Sequence, residues 1–212
     1  TLKSDVLTTL TNYNTNTLSQ FDGIFRYSKV TGLIDGTDSS ILSNITTLKI
    51  RKDFTPTLAA STKYNVYFRN ALYNPHSGHN SAEGGILESS GFKVSGDSST
   101  VFFLDDDGQG NVRRYSFSGA TRVYANNTQG TIDYDTGAIT INSLSVLSVE
   151  NIRGSVSSKI ELTVVPRSND VVPVRDQILE IDTANSSITV SRDTFVGGSS
   201  DAGVGYTTSS SY

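Results

Sequence analysis

The strongest constraint on the fold is a stretch in which apolar and polar residues alternate on both sides of a proline. The alternation runs through residues 160–165, stops at Pro166, and resumes over residues 177–181 after a polar corner at residues 167–170. A period of two residues places apolar side chains on one face of a strand. Proline has no backbone N–H and therefore stands at the margin of a sheet. The stretch predicts two strands joined at a corner.

The composition fits a sheet protein with many turns. Of the 212 residues, 35% are hydrophobic and 18% are charged, and both fractions are below the averages for globular domains. Ser, Thr, Asn and Gly fill the difference, which is typical of antiparallel sheets with one hydrated face. The length suffices for one large domain or two small ones.

Several functions and locations are disfavoured by the sequence. There is no cysteine, which excludes disulfides, thiolate zinc sites and cysteine nucleophiles. The net charge is −4 and the basic residues form no stripe, so we expect no nucleic-acid partner. No apolar run approaches the ~20 residues that cross a membrane, so we expect no membrane contact. The chain opens at Thr1 without methionine, which we interpret as a portion of a longer polypeptide.

The beginning of the chain predicts a helix. Leu2, Val6, Leu10 and Tyr13 recur at helical spacing, which indicates a helix over residues 2–18. Thr and Asn are frequent there and are mediocre helix formers. We therefore expect packing, rather than intrinsic propensity, to hold this segment helical.

A small βαβ unit is predicted to follow the helix. Its elements are a strand over residues 21–34, a short helix over residues 41–45 and a strand over residues 48–52. Thr37 or Asp38 would cap the short helix, and parallel strands would imply a right-handed crossover. Pro56 marks the expected boundary, so residues 1–56 form the first predicted domain.

The second predicted domain, residues 57–196, is β-rich and mainly antiparallel. Its predicted features are a strand from Tyr64, a loop over residues 74–85, hairpins around 105–110 and 135–137, and strands over 160–165, 177–181 and 187–190. Residues 143–149 fit either a short helix or a connector. Residues 197–212 form a Gly/Ser-rich tail that cannot fold alone. The predicted class is α+β: an N-terminal helix and small βαβ unit, then the antiparallel region.

Asp135, Thr136 and Gly137 form the triplet found in aspartic proteases, where two aspartates share a proton. Such a protease needs an apolar strand running into the aspartate, whereas Asp133 stands two residues before Asp135. The triplet is also a good hairpin loop, because Gly137 can adopt the left-handed conformation. The hairpin is the favoured interpretation. With no Gly-x-Ser-x-Gly motif either, we predict no catalytic residue and no enzyme.

Two loops carry residue types that bind metals. Residues 105–111 combine three aspartates with Asn111 and glycines, as calcium loops do, but lack the glutamate of an EF-hand. His76 and His79 stand three residues apart, without a third histidine or a Glu-x-x-His helix. A charged hairpin tip and a solvated loop explain these patterns, so we predict no metal site and no cofactor, and leave open whether either loop holds an ion.

Two stretches resemble the C-terminal region of baseplate wedge proteins of T-even-like contractile-tailed phages. One is residues 133–139, Asp-Tyr-Asp-Thr-Gly-Ala-Ile, and the other is residues 165–171, Val-Pro-Arg-Ser-Asn-Asp-Val. The opening helix and residues 32–50 are similar to a core shared with the broader baseplate-J-like group. Neither stretch is a catalytic motif, so the resemblance implies structural work.

In that family the C-terminal part of the wedge protein joins neighbouring wedges into a ring around the tail hub. The ring holds the sheath initiator and other wedge subunits, and it rearranges as the sheath contracts. The implied partners are copies of the chain itself, other wedge subunits and the sheath-initiator protein. The implied location is the baseplate of the virion tail, assembled in the host cytoplasm.

We expect contact surfaces at three places. They are the apolar face of the opening helix (Leu2, Val6, Leu10 and Tyr13), the polar corner (Arg167, Asn169 and Asp170) and the tail (Tyr206 and Tyr212). A weak helix with an apolar stripe should find a partner, and an extended tail can add a strand to the sheet of another subunit.

Two other classes of protein share this composition. A carbohydrate- or receptor-binding module of a tail fibre or adhesin predicts aromatic residues on one exposed face, with Tyr64, Tyr67 and Tyr73 as first candidates. An aspartic protease predicts that Asp135 is buried against a dimer mate. A structural subunit predicts broad contacts at the helix and the tail.

Overall fold

The described part of the chain folds into two helices and ten strands. In the computed structural model, which describes residues 1–79, 85–174 and 177–192, α1 spans Leu2–Tyr13, a π-helical turn continues it over Asn14–Leu18, and α2 spans Tyr27–Asp35. The strands are β1 (Ile50–Phe54), β2 (Thr62–Tyr67), β3 (Glu88–Ser89), β4 (Phe92–Val94), β5 (Asp97–Asp106), β6 (Asn111–Ser118), β7 (Thr121–Asp133), β8 (Ala138–Leu144), β9 (Val146–Val149) and β10 (Ile160–Val164).

The strands form two antiparallel sheets over one main core. The larger sheet has the order β2-β8-β7-β6-β5-β4-β9, and the smaller has the order β1-β10-β3. Leu104 and Ile139 from the larger sheet and Leu162 from the smaller are completely buried in the same cluster. Burying such side chains from both sheets supplies the main apolar contribution to stability. The predicted α+β class, with a β-rich and mainly antiparallel body, is confirmed.

A second core is built on the two helices. Val6, Leu10 and Tyr13 of α1 pack with Val30 of α2 and with Val171. Leu179, Ile181 and Ile188 pack against the same cluster. The expected boundaries assign these later residues to the second domain, so the helical core draws on both predicted domains.

The predicted strand over residues 21–34 is wrong, because most of this segment forms α2. Tyr27, Val30 and Ile34 recur at helical spacing, and Val30 is buried. The carboxylate of Asp170 accepts a hydrogen bond from the Tyr27 backbone N–H at 2.9 Å and pairs with Arg26 at 2.9 Å. A side chain distant in sequence therefore satisfies a donor at the helix start that Arg26 leaves uncapped.

The predicted βαβ unit is also wrong. Residues 41–49 form no helix. The Asp38 carboxylate instead accepts the Ser40 N–H at 2.8 Å in a local turn, and an irregular segment then leads to β1. Because β1 pairs antiparallel with β10, no parallel crossover exists here.

Elements whose signal is local are confirmed. The opening helix, β2, β10 and the two hairpins, β5–β6 and β7–β8, lie where the sequence predicts them. The segment 143–149 belongs to the end of β8 and to β9, rather than to a helix or a plain connector.

The strands predicted over residues 177–181 and 187–190 do not form. Leu179 and Ile181 still turn toward the helical core. The Asn14 side chain accepts the Ile181 N–H at 2.7 Å, so a side chain rather than a neighbouring strand satisfies this part of the backbone.

Two glycines provide a test of the packing. A Cβ added at Gly130 in β7 would lie 1.9 Å from the Thr140 carbonyl oxygen of β8, whereas one added at Gly32 in α2 would meet nothing within 4 Å. We predict that Gly130→Ala lowers the free energy of unfolding by about 2 kcal/mol or more, because the strands must separate. Gly32→Ala should raise it by up to about 1 kcal/mol, because alanine favours the helix. Urea unfolding measures both, and a Gly130→Ala variant as stable as the parent would contradict the strand spacing.

Candidate functional site

Asp105, Asp106 and Asp107, with the turn that runs on to Asn111, carry ionisable groups with many specific partners, and we call residues 105–111 the acidic turn. The side chains of Asp105 and Asp106 are completely buried at the end of β5. Alternation along β5 places them on opposite faces of the sheet. Buried carboxylates are stable only when they are paired or hydrogen-bonded, so the surrounding donors determine what this turn can do.

Asp106 gathers donors from three parts of the chain. Its Oδ1 accepts the backbone N–H groups of Ile86 at 2.6 Å and Leu87 at 2.8 Å. Its Oδ2 accepts the Tyr134 hydroxyl at 2.5 Å and the Gly108 N–H at 3.2 Å. The carboxylate therefore joins the segment before β3, its own turn and the end of the β7–β8 hairpin.

Asp105 holds the outer face of the β5–β7 sheet. It pairs with Arg113 at 2.9 Å and with Arg122 at 2.7 Å, and it accepts the Tyr124 hydroxyl at 2.9 Å. The Arg113 guanidinium also lies over the Tyr124 ring, 4.2 Å from its centroid. Two cations and a hydroxyl on one carboxylate form a satisfied network.

Asp107 closes the turn. Its carboxylate accepts the backbone N–H groups of Gln109 at 2.8 Å and Asn111 at 3.0 Å, and the Asn111 amide at 2.6 Å. Burial opposes ionisation of Asp107, but the hydrogen bonds from Asn111 and Gln109 outweigh it and hold the pKa of this carboxyl below its ordinary value.

These contacts give the acidic turn a structural role. Calcium would need several carboxylate and carbonyl oxygens directed at one point, whereas the three aspartates direct their oxygens at separate protein donors. Within residues 1–79, 85–174 and 177–192, no group of three His, Asp or Glu side chains has metal-binding geometry. The charged hairpin predicted at this position is confirmed, but two of its three aspartates, Asp105 and Asp106, are buried rather than exposed at a tip.

His76 and His79 contact each other. The Nδ1 atom of His79 lies 2.9 Å from Nε2 of His76, and the rings meet edge to face. The His79 ring also packs on Tyr73. The two imidazoles share one hydrogen bond, and the described neighbourhood supplies no third ligand.

The Asp135–Gly137 triplet is a hairpin turn, as predicted. The Asp133 carboxylate accepts the backbone N–H groups of Asp135 and Thr136, and Gly137 has a φ of 69°. The Asp135 side chain is 82% exposed and pairs with Arg167 at 2.5 Å. A shared proton between two buried aspartates requires the opposite surroundings, so this triplet has the geometry of a turn.

The predicted contact residues of α1 are used inside the chain. Val6, Leu10 and Tyr13 are buried in the helical core, and Leu2 is half-buried beside an open groove. The apolar stripe of α1 therefore packs within the chain, against α2, Val171 and the segment over residues 179–188. As a surface for other subunits, only the Leu2 end of this stripe is accessible in the chain alone.

The other predicted contact residues differ in their surroundings. Arg167 and Asp170 form the ion pairs with Asp135 and Arg26, and Asn169 is exposed. Tyr206 and Tyr212 lie outside the described residues, so their contact role stays a prediction.

The three tyrosines considered for a binding face do not share one surface. Tyr64 packs on the main core against Phe54, with ring centroids 4.8 Å apart. Tyr67 points away on the other side of β2, and Tyr73 lies beside His79.

The structure contains an aromatic cluster that the sequence pattern did not predict. Phe103, Tyr115, Phe117 and Tyr124 contact one another on β5, β6 and β7. Its signal is the strand register, since Phe103 faces Tyr115 and Tyr115 faces Tyr124. Alignment of the two hairpins could have indicated it.

An open groove of about 2020 Å³ lies beside the helical core. We call it the N-terminal groove. Its walls are the two helices, residues 40–52 and residues 177–192. Apolar side chains stand exposed along it: Leu42 at 67%, Ile45 at 100%, and Ile178 and Val190 at 53% each. A contiguous exposed apolar surface marks a contact site more often than chance does.

Fold and site together define an α+β structural domain whose buried charges serve its own packing. Comparison with protein families agrees: residues 1–53 match the model described as baseplate structural protein gp6, C-terminal domain III. This match confirms the resemblance to a baseplate wedge protein of contractile-tailed phages over the first quarter of the chain. It supports a structural role in the baseplate of the virion tail.

Comparison with curated proteins gave no match. In the part of the chain that the structure describes, neither helix has the length and apolar character needed to cross a membrane.

Asp106 can be tested by an isosteric change. Asp106→Asn removes the negative charge and directs an amide at N–H donors, so we predict a loss of about 3 kcal/mol in the free energy of unfolding. Asp135→Asn is the matched control, because the exposed Asp135–Arg167 pair should contribute at most about 0.5 kcal/mol. Equal urea midpoints for the two variants would show that Asp106 does not organise the turn.

The half-buried Tyr134 should make the free energy of unfolding fall at alkaline pH. Burial raises the pKa of its hydroxyl well above the ordinary 10.0, and the hydrogen bond to Asp106 raises it further. A raised folded-state pKa contributes stability that is present below about pH 10 and lost as the pH rises above it. Tyr134→Phe should therefore lose less stability than the parent between about pH 8 and about pH 11.

The control for this prediction is Tyr67→Phe, which changes an exposed tyrosine. Its alkaline loss should equal that of the parent. Urea unfolding at the two pH values measures the difference, and parallel profiles for Tyr134→Phe and Tyr67→Phe would contradict the role of Tyr134.

Proposed function

We propose that this chain is a structural subunit of a phage tail baseplate wedge. It joins neighbouring wedges into a ring around the tail hub and supports sheath attachment and contraction. The observation that carries the proposal is the match of residues 1–53 to a baseplate structural domain.

The N-terminal groove supports this proposal because it lies partly within the matched segment. Leu42 and Ile45 belong to residues 1–53 and are largely exposed. Complete burial of one such side chain contributes about 1.5–3 kcal/mol. Two exposed residues of this kind, three positions apart on one segment, form a compact attachment point for a neighbouring subunit.

The proposed partners are copies of this chain, other wedge subunits and the sheath-initiator protein. A closed ring repeats one contact around its axis, so each copy presents the same surface to its neighbour. The polar corner at Arg167 and Asn169, the Leu2 end of α1, and Tyr206 and Tyr212 of the tail are further proposed contacts. Assembly would take place in the host cytoplasm and end in the virion.

Self-association through the N-terminal groove can be measured directly. We predict that the chain forms dimers or larger species in a concentration series followed by light scattering. The double variant Leu42→Ser/Ile45→Ser should weaken this association at least about tenfold, because it removes apolar area from the contact.

Val156→Ser is the matched control, since Val156 is 90% exposed on the loop between β9 and β10 and does not line the groove. It should associate like the parent. A strictly monomeric parent, or equal weakening by the control, would overturn self-association through this groove.

A further inference from the structure

A notch of about 350 Å³ separates the two sheets at a point where each sheet ends. It is lined by residues of β1 and β2, by Arg69 just after β2, and by Gln177. In the sheet orders, β1 is an edge of the smaller sheet and β2 is an edge of the larger. An edge strand has one side without ladder partners and can accept an added strand. The notch thus places two sheet edges beside one another.

Two cations stand in this notch. Lys52 donates from Nζ to the Tyr67 carbonyl oxygen at 2.7 Å, which fixes its ammonium between the two edge strands. Arg69 lines the same notch. Burial lowers the pKa of Lys52, and the nearby positive charge of Arg69 lowers it further. The notch is also lined by one carboxylate residue, Asp53, whose ion pair is with Lys159.

Other cations on the smaller sheet have acidic partners. Lys49 pairs with Glu88 at 2.7 Å, and Lys159 pairs with Asp53 at 3.0 Å. Among the described residues, no carboxylate forms an ion pair with Lys52 or Arg69. The notch therefore holds two cations without an ion-pair partner in the described chain, beside one carboxylate, Asp53, that is already paired.

The backbone conformation of Arg69 is an independent indication that the notch is a binding site. Its φ is 56°, a left-handed conformation in which glycine or asparagine fits with less strain. The conformation alone does not explain an arginine at this position. Strained residues that persist often lie at functional sites, and Arg69 lines the notch beside the edge strands β1 and β2.

We propose that the notch binds a carboxylate side chain presented by an extended segment of a neighbouring protein chain. The carboxylate would pair with Lys52 and Arg69, while the backbone of the segment would hydrogen-bond to the free edge of β2. The chain has a net charge of −4, so a polyanion such as nucleic acid would be repelled beyond these two cations. A single carboxylate on a peptide fits both the charge and the edges.

This contact goes beyond the proposed function. The notch shares Lys52 and Gln177 with the lining of the N-terminal groove but lies at the edges of β1 and β2. The contact depends on Lys52 and Arg69 and not on Leu42 or Ile45, so the two proposals can fail independently.

The probe is the peptide acetyl-Thr-Val-Glu-Val-Thr-amide, titrated into the isotope-labelled chain and followed by NMR. The matched peptide has glutamine in place of glutamate. Charge-assisted hydrogen bonds are about twice as strong as neutral ones, so we expect the glutamate peptide to bind at least about tenfold more tightly. Shifts should concentrate on the amides of β1, β2 and Arg69. Equal affinity for the two peptides, or no binding of either, would overturn the proposal.

Arg69→Asn separates binding from folding. Asparagine tolerates the left-handed conformation, so the melting temperature should stay equal or rise while affinity for the glutamate peptide falls about tenfold. Lys63→Gln, which removes an exposed lysine from β2, should bind like the parent. Unchanged affinity in Arg69→Asn would overturn the proposal.

Asp176, which lies outside the described residues and precedes Gln177, tests whether the chain supplies the carboxylate itself. If the glutamate peptide binds only to Asp176→Asn and not to the parent, the notch is closed by its own chain and the proposal fails. Equal binding to both supports a partner's carboxylate.

Discussion

The buried carboxylate of Asp106 is the constraint on which the sheet body depends. It binds backbone donors 20 and 19 residues earlier in the chain and the Tyr134 hydroxyl 28 residues later. Gly85 has a φ of 66°, and a Cβ there would lie 1.9 Å from the Asp106 carboxylate, so only glycine lets the chain pass. A desolvated charge is costly unless every lone pair has a donor. The loop before β3, the acidic turn and the β7–β8 hairpin must therefore meet at this point.

The other buried or half-buried carboxylates follow the same rule. Asp105 holds Arg113 and Arg122 on the outer face of the larger sheet, and Asp170 satisfies the start of α2. The carboxylates of Asp106, Asp105 and Asp170 thus join segments that are distant in the sequence. The surfaces left for function are those where groups lack a partner within the described chain: the apolar N-terminal groove and the cationic notch between the sheet edges. Both suit a protein that works by contact with neighbouring subunits.

What the sequence predicts correctly is what depends on local pattern. Residues 2–18 and 160–165 show a clear period, and the turns at 105–110 and 135–137 have the required glycines, so helix, strand and hairpins are confirmed. Helix α2 is missed because its cap, Asp170, lies 143 residues away. Residues 177–181 keep their alternation but lack a strand to pair with. The acidic turn looks like an exposed tip because its donors come together only through strand register, which no local pattern reveals.

Calcium provides the most direct test of the claim that the acidic turn serves the fold rather than a ligand. A loop with a dissociation constant of about 10 µM would gain about 2.7 kcal/mol in about 1 mM calcium, which raises the unfolding midpoint by about 5–10 °C. Because protein donors already occupy the carboxylates of Asp105, Asp106 and Asp107, we predict midpoints that agree within about 1 °C in calcium and in chelator. A rise of several degrees in calcium that is lost in Asp107→Asn would contradict the claim and make this turn an ion site.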